Sequence, residues 1–206
     1  MPEGPEVRAI ALKLNETWKG KTFEYREKVD KVINVTSHGK WLIINLEGGR
    51  VSIHFMLRGK LEEGDGPSIF EMKVSGETFR LTDPMKAAFA TDKVVPLIGL
   101  DPIDEPVTPE FIGKCLDAHK GMIIGNFLST QGEIVGIGSR MRSEILYFAK
   151  IRPDVLCKDV TRREELACAI TSVMKEGVRN LTKKCPLGHK LEKTRVGKIT
   201  FCSECS

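Results

Sequence analysis

A chain of 206 residues with 41% hydrophobic content can bury one large core or two small ones, and 32 Lys and Arg against 28 Asp and Glu leave a net charge of only +4. That balance permits nucleic-acid binding without announcing it. No window is apolar over the length a membrane helix needs, and no basic segment leads into an apolar run and a small-residue cleavage site, so an intracellular protein with no membrane partner is expected.

The opening residues, MPEGPE, set two prolines, a glycine and two glutamates ahead of any hydrophobic run. The next stretch, PEVRAIALKLNETWKGK, carries Val7, Ile10, Leu14 and Trp18 at spacings of three and four, with Pro5 near the first turn, Glu6 close to the positive helix end and Gly20 as a stop. It predicts an amphipathic helix. From Thr22 to about Leu81 the pattern changes to short runs of β type (TFEYR, KVINVTS, KWLIINLE, RVSIHFML, IFEMKV, TFRLT) broken by Gly-rich turns, which predicts an antiparallel sandwich. The segment LIGLDPIDEPVTPE, rich in proline, reads as a linker into helical patterns near 109–118, 121–130, 140–149 and 161–176. The predicted fold class is α+β, with a first domain over 1–105 and a second over 106–206. Between two of the helices, Gly136-Ile137-Gly138-Ser139 opens a helix; such a turn offers unpaired N–H groups to a phosphate, with Arg140 and Arg142 adding charge, although most Gly-rich turns are only turns.

Three of the six cysteines, Cys115, Cys157 and Cys168, lie singly in apolar, helix-like surroundings and read as small hydrophobes. The others sit in the tail, CPLGHKLEKTRVGKITFCSEC. There Cys185 and His189 form one tight pair and Cys202 and Cys205 another, with a predicted hairpin between them. Four N/S donors in two pairs suit one structural zinc ion in a tetrahedral site, a finger over 183–206. A redox C-x-x-C pair or an accidental cluster is the alternative, but a redox pair needs neither the upstream Cys/His nor the hairpin.

Together these pieces resemble the formamidopyrimidine-DNA glycosylase and endonuclease VIII family of base-excision DNA glycosylases. The resemblance runs through MPEGPEVR, HGKWLIINL, HFMLRGKL, LTDP, GLDPI, QGEIVGIGSRMRSEIL as the helix–two-turn–helix, and the closing cysteine hairpin. PEGPE is more similar to the endonuclease VIII-like branch. The resemblance implies a bifunctional glycosylase and AP lyase acting as a monomer on damaged DNA, double-stranded and also single-stranded. Loss of the initiator Met would free the secondary amine of Pro2, whose pKa near about 8 leaves part of it unprotonated at neutral pH. It further implies that Glu3 protonates the sugar ring oxygen, that Glu6 assists proton transfer or positions the terminus, and that Lys40 grips a phosphate beside the lesion; a lone strand lysine is otherwise a solvated edge charge. Leu57, or Met56 beside it, matches the side chain that fills the gap left by the extruded nucleotide, and sheet core is the equal alternative for both.

The chain also departs from the family pattern. Ser139 stands where the family usually has Asn, Lys198 is the nearest match to the arginine of the zinc hairpin with Arg195 nearby, and MKAA follows LTDP in place of an arginine–phenylalanine pair. Only 40 residues separate Glu144 from Cys185, short for a lesion-capping loop. These losses point to a permissive enzyme for oxidised bases. The competing expectations are a non-catalytic DNA-binding protein that keeps the scaffold, and an RNA-binding or ribosome-associated module.

Overall fold

The structure, a computed structural model, describes residues 2–182 and the backbone of 192–193 and 200–201. It divides into two compact units, one of Pro2 and Val7–Leu97, the other of Glu3–Glu6 and Ile98 onward.

The helix α1 spans Gly4–Trp18. Its start is closed by a return bond: the Glu6 carboxylate accepts the Glu3 N–H at 2.8 Å, the reciprocal half of a capping box. Within the first unit, Val7, Ala11 and Trp18 are buried, and the edge of Trp18 meets the Phe79 ring at 4.7 Å between centroids. The helix ends where Gly20 takes a positive φ of 78° and donates its N–H to Val32.

Eight antiparallel strands follow: β1 (Thr22–Tyr25), β2 (Lys28–His38), β3 (Trp41–Leu46), β4 (Gly49–His54), β5 (Lys60–Glu63), β6 (Phe70–Val74), β7 (Glu77–Thr82) and β8 (Phe89–Thr91). They form one continuous sheet in the order β5-β7-β6-β1-β2-β3-β4-β8. The expected sandwich is thus a single sheet folded on itself. The long strand β2 makes the corner, pairing with β1 through 28–31 and with β3 through 32–38, with a register shift between Val32 and Asn34. Just beyond that shift, Asn15 of α1 accepts the Val35 N–H at 2.9 Å, and Arg8 holds Ser37 through its hydroxyl at 2.6 Å and its carbonyl at 3.1 Å. Apolar side chains from both halves, among them Phe23, Met72 and Leu81 on one and Leu42, Ile44 and Ile53 on the other, share one core.

In the second unit, Pro-rich sequence from residue 98 onward is built into the fold. Leu100 bridges Ile134, Asp101 closes a turn on Ile103, and the Val107 N–H donates to Thr171. Thr108 caps α2 (Pro109–Ala118) by accepting the Phe111 N–H, with Pro109 at the first helical position. Then come α3 (Ile124–Phe127), α4 (Ser139–Ala149) and α5 (Arg163–Thr182), packed around Ile112, Leu116, Phe127, Ile137, Ile145, Ile170 and Met174. The region expected as a helix over 121–130 forms only the single turn α3. Burial raises the thiol pKa of Cys115 and Cys157, as expected of packed hydrophobes, but Cys168 faces outward on α5. Residues 192–193 and 200–201 pair antiparallel, Thr200 against Lys193 and Phe201 against Glu192. No helix among the described residues is long and apolar enough to cross a membrane.

Candidate active site

In the second unit, α4 begins on two glycines whose smallness is used. The Gly4 N–H donates to the Gly136 carbonyl at 2.8 Å, and a Cβ on Gly4 would lie 3.0 Å from the Gly136 Cα, so the chains at 4 and 136 touch backbone to backbone. Gly136 takes a φ of 85°, and its N–H donates to Gln131 Oε1 while Gln131 Nε2 donates to the Ile137 carbonyl. Beside them, a Cβ on Gly138 would fall 2.5 Å from the Glu3 carboxyl carbon.

That approach seats Glu3, only 3% exposed, on the first turn of α4. Its Oε1 accepts the Arg140 N–H and its Oε2 the Met141 N–H, each at 2.9 Å. The turn expected to offer these amides to a phosphate therefore holds a carboxylate of its own chain. The attraction is the same, since the positive end of a helix favours any anion. The Arg140 side chain adds a second tie: its guanidinium bonds Glu6 through Nη2 and lies 3.6 Å from Glu3 through Nε. The hydrogen bond to Glu6 holds that guanidinium more firmly protonated than usual, against the opposing effect of its partial burial. Arg142, expected as helix-end charge, turns instead to Ser129 Oγ at 3.1 Å and to the Gly125 carbonyl. Ser139 itself is exposed. On the same helix Glu144 is 2% exposed, and its Oε1 accepts no hydrogen bond among the described residues. A charge inside an apolar helical stripe was the available signal for it.

In the first unit, Pro2 is half-buried. Lys40 sits in the tight connection between β2 and β3 rather than on a strand, next to Gly39 at φ 55°, and is 8% exposed. A solvated edge charge is excluded by that burial. His54 closes β4 with its ring edge-on to Trp41 and stacked on Phe89. Burial, and then the charge of Lys40, hold its imidazole below the usual pKa, and its Nδ1 accepts the Met56 N–H at 3.2 Å. The turn after it is closed by the Gly59 N–H on the Phe55 carbonyl at 2.8 Å. Phe55 points into the core, Met56 is half-buried at φ 50°, and Leu57 is 55% exposed. Of the two readings of this turn, sheet core fails for Leu57. Nearby, Asp83 of LTDP accepts N–H groups from Met85, Ala87 and Ala88, each at 2.9 Å. Desolvation alone would raise its pKa, but those three bonds and the charge of Arg58 together bring it below the ordinary range.

The zinc candidates Cys185, His189, Cys202 and Cys205, with Arg195 and Lys198, lie outside the described residues; among the described residues no three His, Cys, Asp or Glu side chains group around a cation site.

Residues 98–185, which take in the whole Gly-rich turn and α4, match the model of the formamidopyrimidine-DNA glycosylase H2TH domain. The chain is 28% identical to the formamidopyrimidine-DNA glycosylase of Pelotomaculum thermopropionicum, over 87% of this chain and 79% of that one. The chain thus carries the H2TH domain of the formamidopyrimidine-DNA glycosylases over residues 98–185 and is similar to those enzymes over most of its length. The glycosylase of Serratia proteamaculans is likewise 28% identical, over 75% of this chain and 68% of its own. The Lactococcus lactis formamidopyrimidine-DNA glycosylase, solved with DNA containing an AP site, superposes with a TM-score of 0.74 at 19% identity over 98% of both chains. The MutM (Fpg) protein of Thermus thermophilus does so with 0.77 at 19% identity, over 99% of this chain and 98% of that one.

Proposed function

We propose that this chain is a DNA glycosylase of base-excision repair that is also an AP lyase, with the amine of Pro2 as nucleophile. The observation that carries the reading is the Glu3 carboxylate, buried directly after Pro2 in sequence and fixed on the first turn of α4 inside the matched H2TH stretch. A carboxylate held by two backbone amides at a helix start is a group built for position.

With Met1 removed, the Pro2 nitrogen attacks C1′ of the damaged nucleotide as the base departs with the bonding electrons. The nitrogen passes its N–H proton to the departing base; Glu3, entering this step as the protonated carboxylic acid, delivers its proton to the ring oxygen as the sugar opens, and the nitrogen's freed lone pair completes an iminium ion. Because that ion is already cationic, it draws electrons from the C2′–H bond; loss of the C2′ proton expels the 3′ phosphate, and a second elimination expels the 5′ phosphate. Lys40 grips a phosphate flanking the lesion and assists the elimination, Glu6 positions the terminus, and Leu57 enters the gap left by the extruded nucleotide, recovering part of the few kcal/mol that extrusion costs. Ser139 at the head of α4 and Lys198 with Arg195 in the tail are the remaining phosphate contacts.

Cys185, His189, Cys202 and Cys205 would hold one zinc ion. The donor set is right for a closed tetrahedral site, and the antiparallel pairing of 192–193 with 200–201, which lie between the two ligand pairs in sequence, supports the reading. When bound, zinc supplies folding free energy to that hairpin and takes no part in bond cleavage. The permissive, endonuclease VIII-like preference for oxidised pyrimidines and hydantoins follows from MKAA after LTDP, where exposed Met85 stands in the absence of an arginine.

The test is covalent capture. Borohydride reduces an iminium to a stable amine, so the protein incubated with an oligonucleotide carrying an abasic site should yield an adduct that peptide mapping places on Pro2. An N-terminal tag left in place should abolish it. A non-catalytic DNA-binding protein would bind the same oligonucleotide and give no adduct, and an adduct on Lys40 would move the nucleophile there.

A further inference from the structure

We propose that Arg140 is a positioning residue of the excision step, an internal clamp that joins Glu3 and Glu6, and that its charge is not available to DNA phosphate. The inference deepens the reading of Glu3 as the acid of base excision and rests on it. Its starting point is that Arg140 reaches the two carboxylates by three routes. Its own N–H donates to Glu3 Oε1 at 2.9 Å, its Nε lies 3.6 Å from the same oxygen, and its Nη2 bonds Glu6 Oε2. Glu6 Oε2 in turn accepts the Glu3 N–H at 2.8 Å. The circuit closes: backbone of 3, side chain of 6, side chain of 140, carboxylate of 3. Met141 fixes the remaining oxygen of Glu3 at 2.9 Å, and the missing side chain of Gly138 makes the room that the carboxyl group occupies.

A planar guanidinium suits this task because its fork presents donors in fixed directions to two acceptors at once, which an ammonium on a flexible stem does not. The side chain is 30% exposed, but the edge that carries Nε and Nη2 faces the carboxyl groups of Glu3 and Glu6. A phosphate approaching Arg140 would find those donors already directed at acceptors of the same chain. The residue that looks in sequence like helix-end charge for DNA is thus a restraint on the acid.

The experiment compares wild type with Arg140→Met and Arg140→Lys in the full-length protein. Single-turnover excision of 5-hydroxyuracil from duplex DNA is measured at saturating enzyme, and the dissociation constant for a tetrahydrofuran-containing duplex is measured across a salt series. Arg140→Met should lower the saturating excision rate about 100-fold, as a small misplacement of a reacting group does, with the dissociation constant within about twofold and the salt slope unchanged. Arg140→Lys should recover about tenfold of that loss, keeping the charge without the fork. If Arg140→Met does not fold, the Lys variant decides alone, since an intermediate rate with the wild-type salt slope is required of it. A salt slope shallower by about one, whatever the rate does, makes Arg140 a phosphate contact and overturns the proposal, and so does an excision rate equal to wild type in both variants. Wild-type protein inactive on 5-hydroxyuracil and on a preformed abasic site would instead remove the glycosylase reading beneath it.

Discussion

Leu57 stands outward on a turn that the sheet does not require to be apolar, since Phe55 supplies the core contact and Gly59 closes the loop; under the proposed function it is the side chain that enters the gap left by the extruded nucleotide. Leu57→Ala should therefore change stability by no more than about 0.5 kcal/mol while slowing excision from duplex DNA about tenfold, and slowing it less on single-stranded substrate, where no stack has to be held open. Thermal unfolding beside single-turnover rates on the two substrates checks this. In sequence, HFMLRG left wedge and core equally open, because period-two alternation continues through it; only the positive φ of Met56, which ends the strand, separates them. The same turn carries a pH dependence. His54 must be unprotonated at Nδ1 to accept the Met56 N–H, and its folded pKa lies below the unfolded value of 6.5, through burial first and Lys40 second. Between the two pKa values the unfolded chain binds the extra proton, so stability from this group is complete above pH 6.5 and is lost as pH falls through the folded value. His54→Asn keeps an acceptor near the same place and cannot titrate. Its thermal midpoint should fall less than that of wild type between neutral pH and pH about 5, and equal falls would show that another group controls the acid loss.

At the scale of elements, α4 shows how a helix start is chosen by what it must hold. Gly138 has φ −118°, which any residue tolerates, so its glycine is required by the Glu3 carboxyl group 2.5 Å from a built Cβ and not by the turn. Gly138→Ala should consequently leave the helices formed and cost about 1–3 kcal/mol for the displaced hydrogen bonds, with base excision reduced about 100-fold. Cleavage at a preformed abasic site should suffer less, since no glycosidic bond remains to break. Circular dichroism with the two cleavage assays separates these outcomes, and equal losses in both assays would mean that Glu3 is not the acid of the first step. The long helices were legible from their apolar spacing and caps: α2 and α4 fall almost where the pattern put them. What the sequence did not reveal was strand β5, whose Lys60–Glu63 run is largely exposed and shows no alternation, and β8, three residues held by pairing with β4. Nor did it reveal that Glu3 occupies the α4 amides. Those contacts join residues 137 and 138 positions apart, and local pattern carries no information about them.

At the scale of the whole molecule, the small net charge of +4 is divided unevenly between internal and external tasks. Arg8, Arg140 and Arg142 are held on partners in their own chain, so the basic groups of the tail carry a larger share of any phosphate binding than the composition suggests. We expect one zinc ion per chain, bound by Cys185, His189, Cys202 and Cys205. The two units each have an extensive apolar core of their own within residues 2–182. In the tail, by contrast, the described residues pair two with two, and an isolated pair of short strands is not stable in water without a further tie. Chelation at neutral pH should therefore leave the helical circular dichroism and the main thermal transition nearly unchanged, while weakening binding to a tetrahydrofuran-containing duplex and flattening its salt dependence, because Arg195 and Lys198 would no longer be held in place. Readdition of zinc should restore both, and Cys202→Ser should imitate the chelated protein without added chelator. The loss would fall on binding and not on chemistry: at saturating enzyme the chelated protein should still form the borohydride-trapped adduct on Pro2. A metal content far below one per chain in protein purified without chelator, or collapse of the main thermal transition on zinc removal, would show that the four donors do not form a separate structural site.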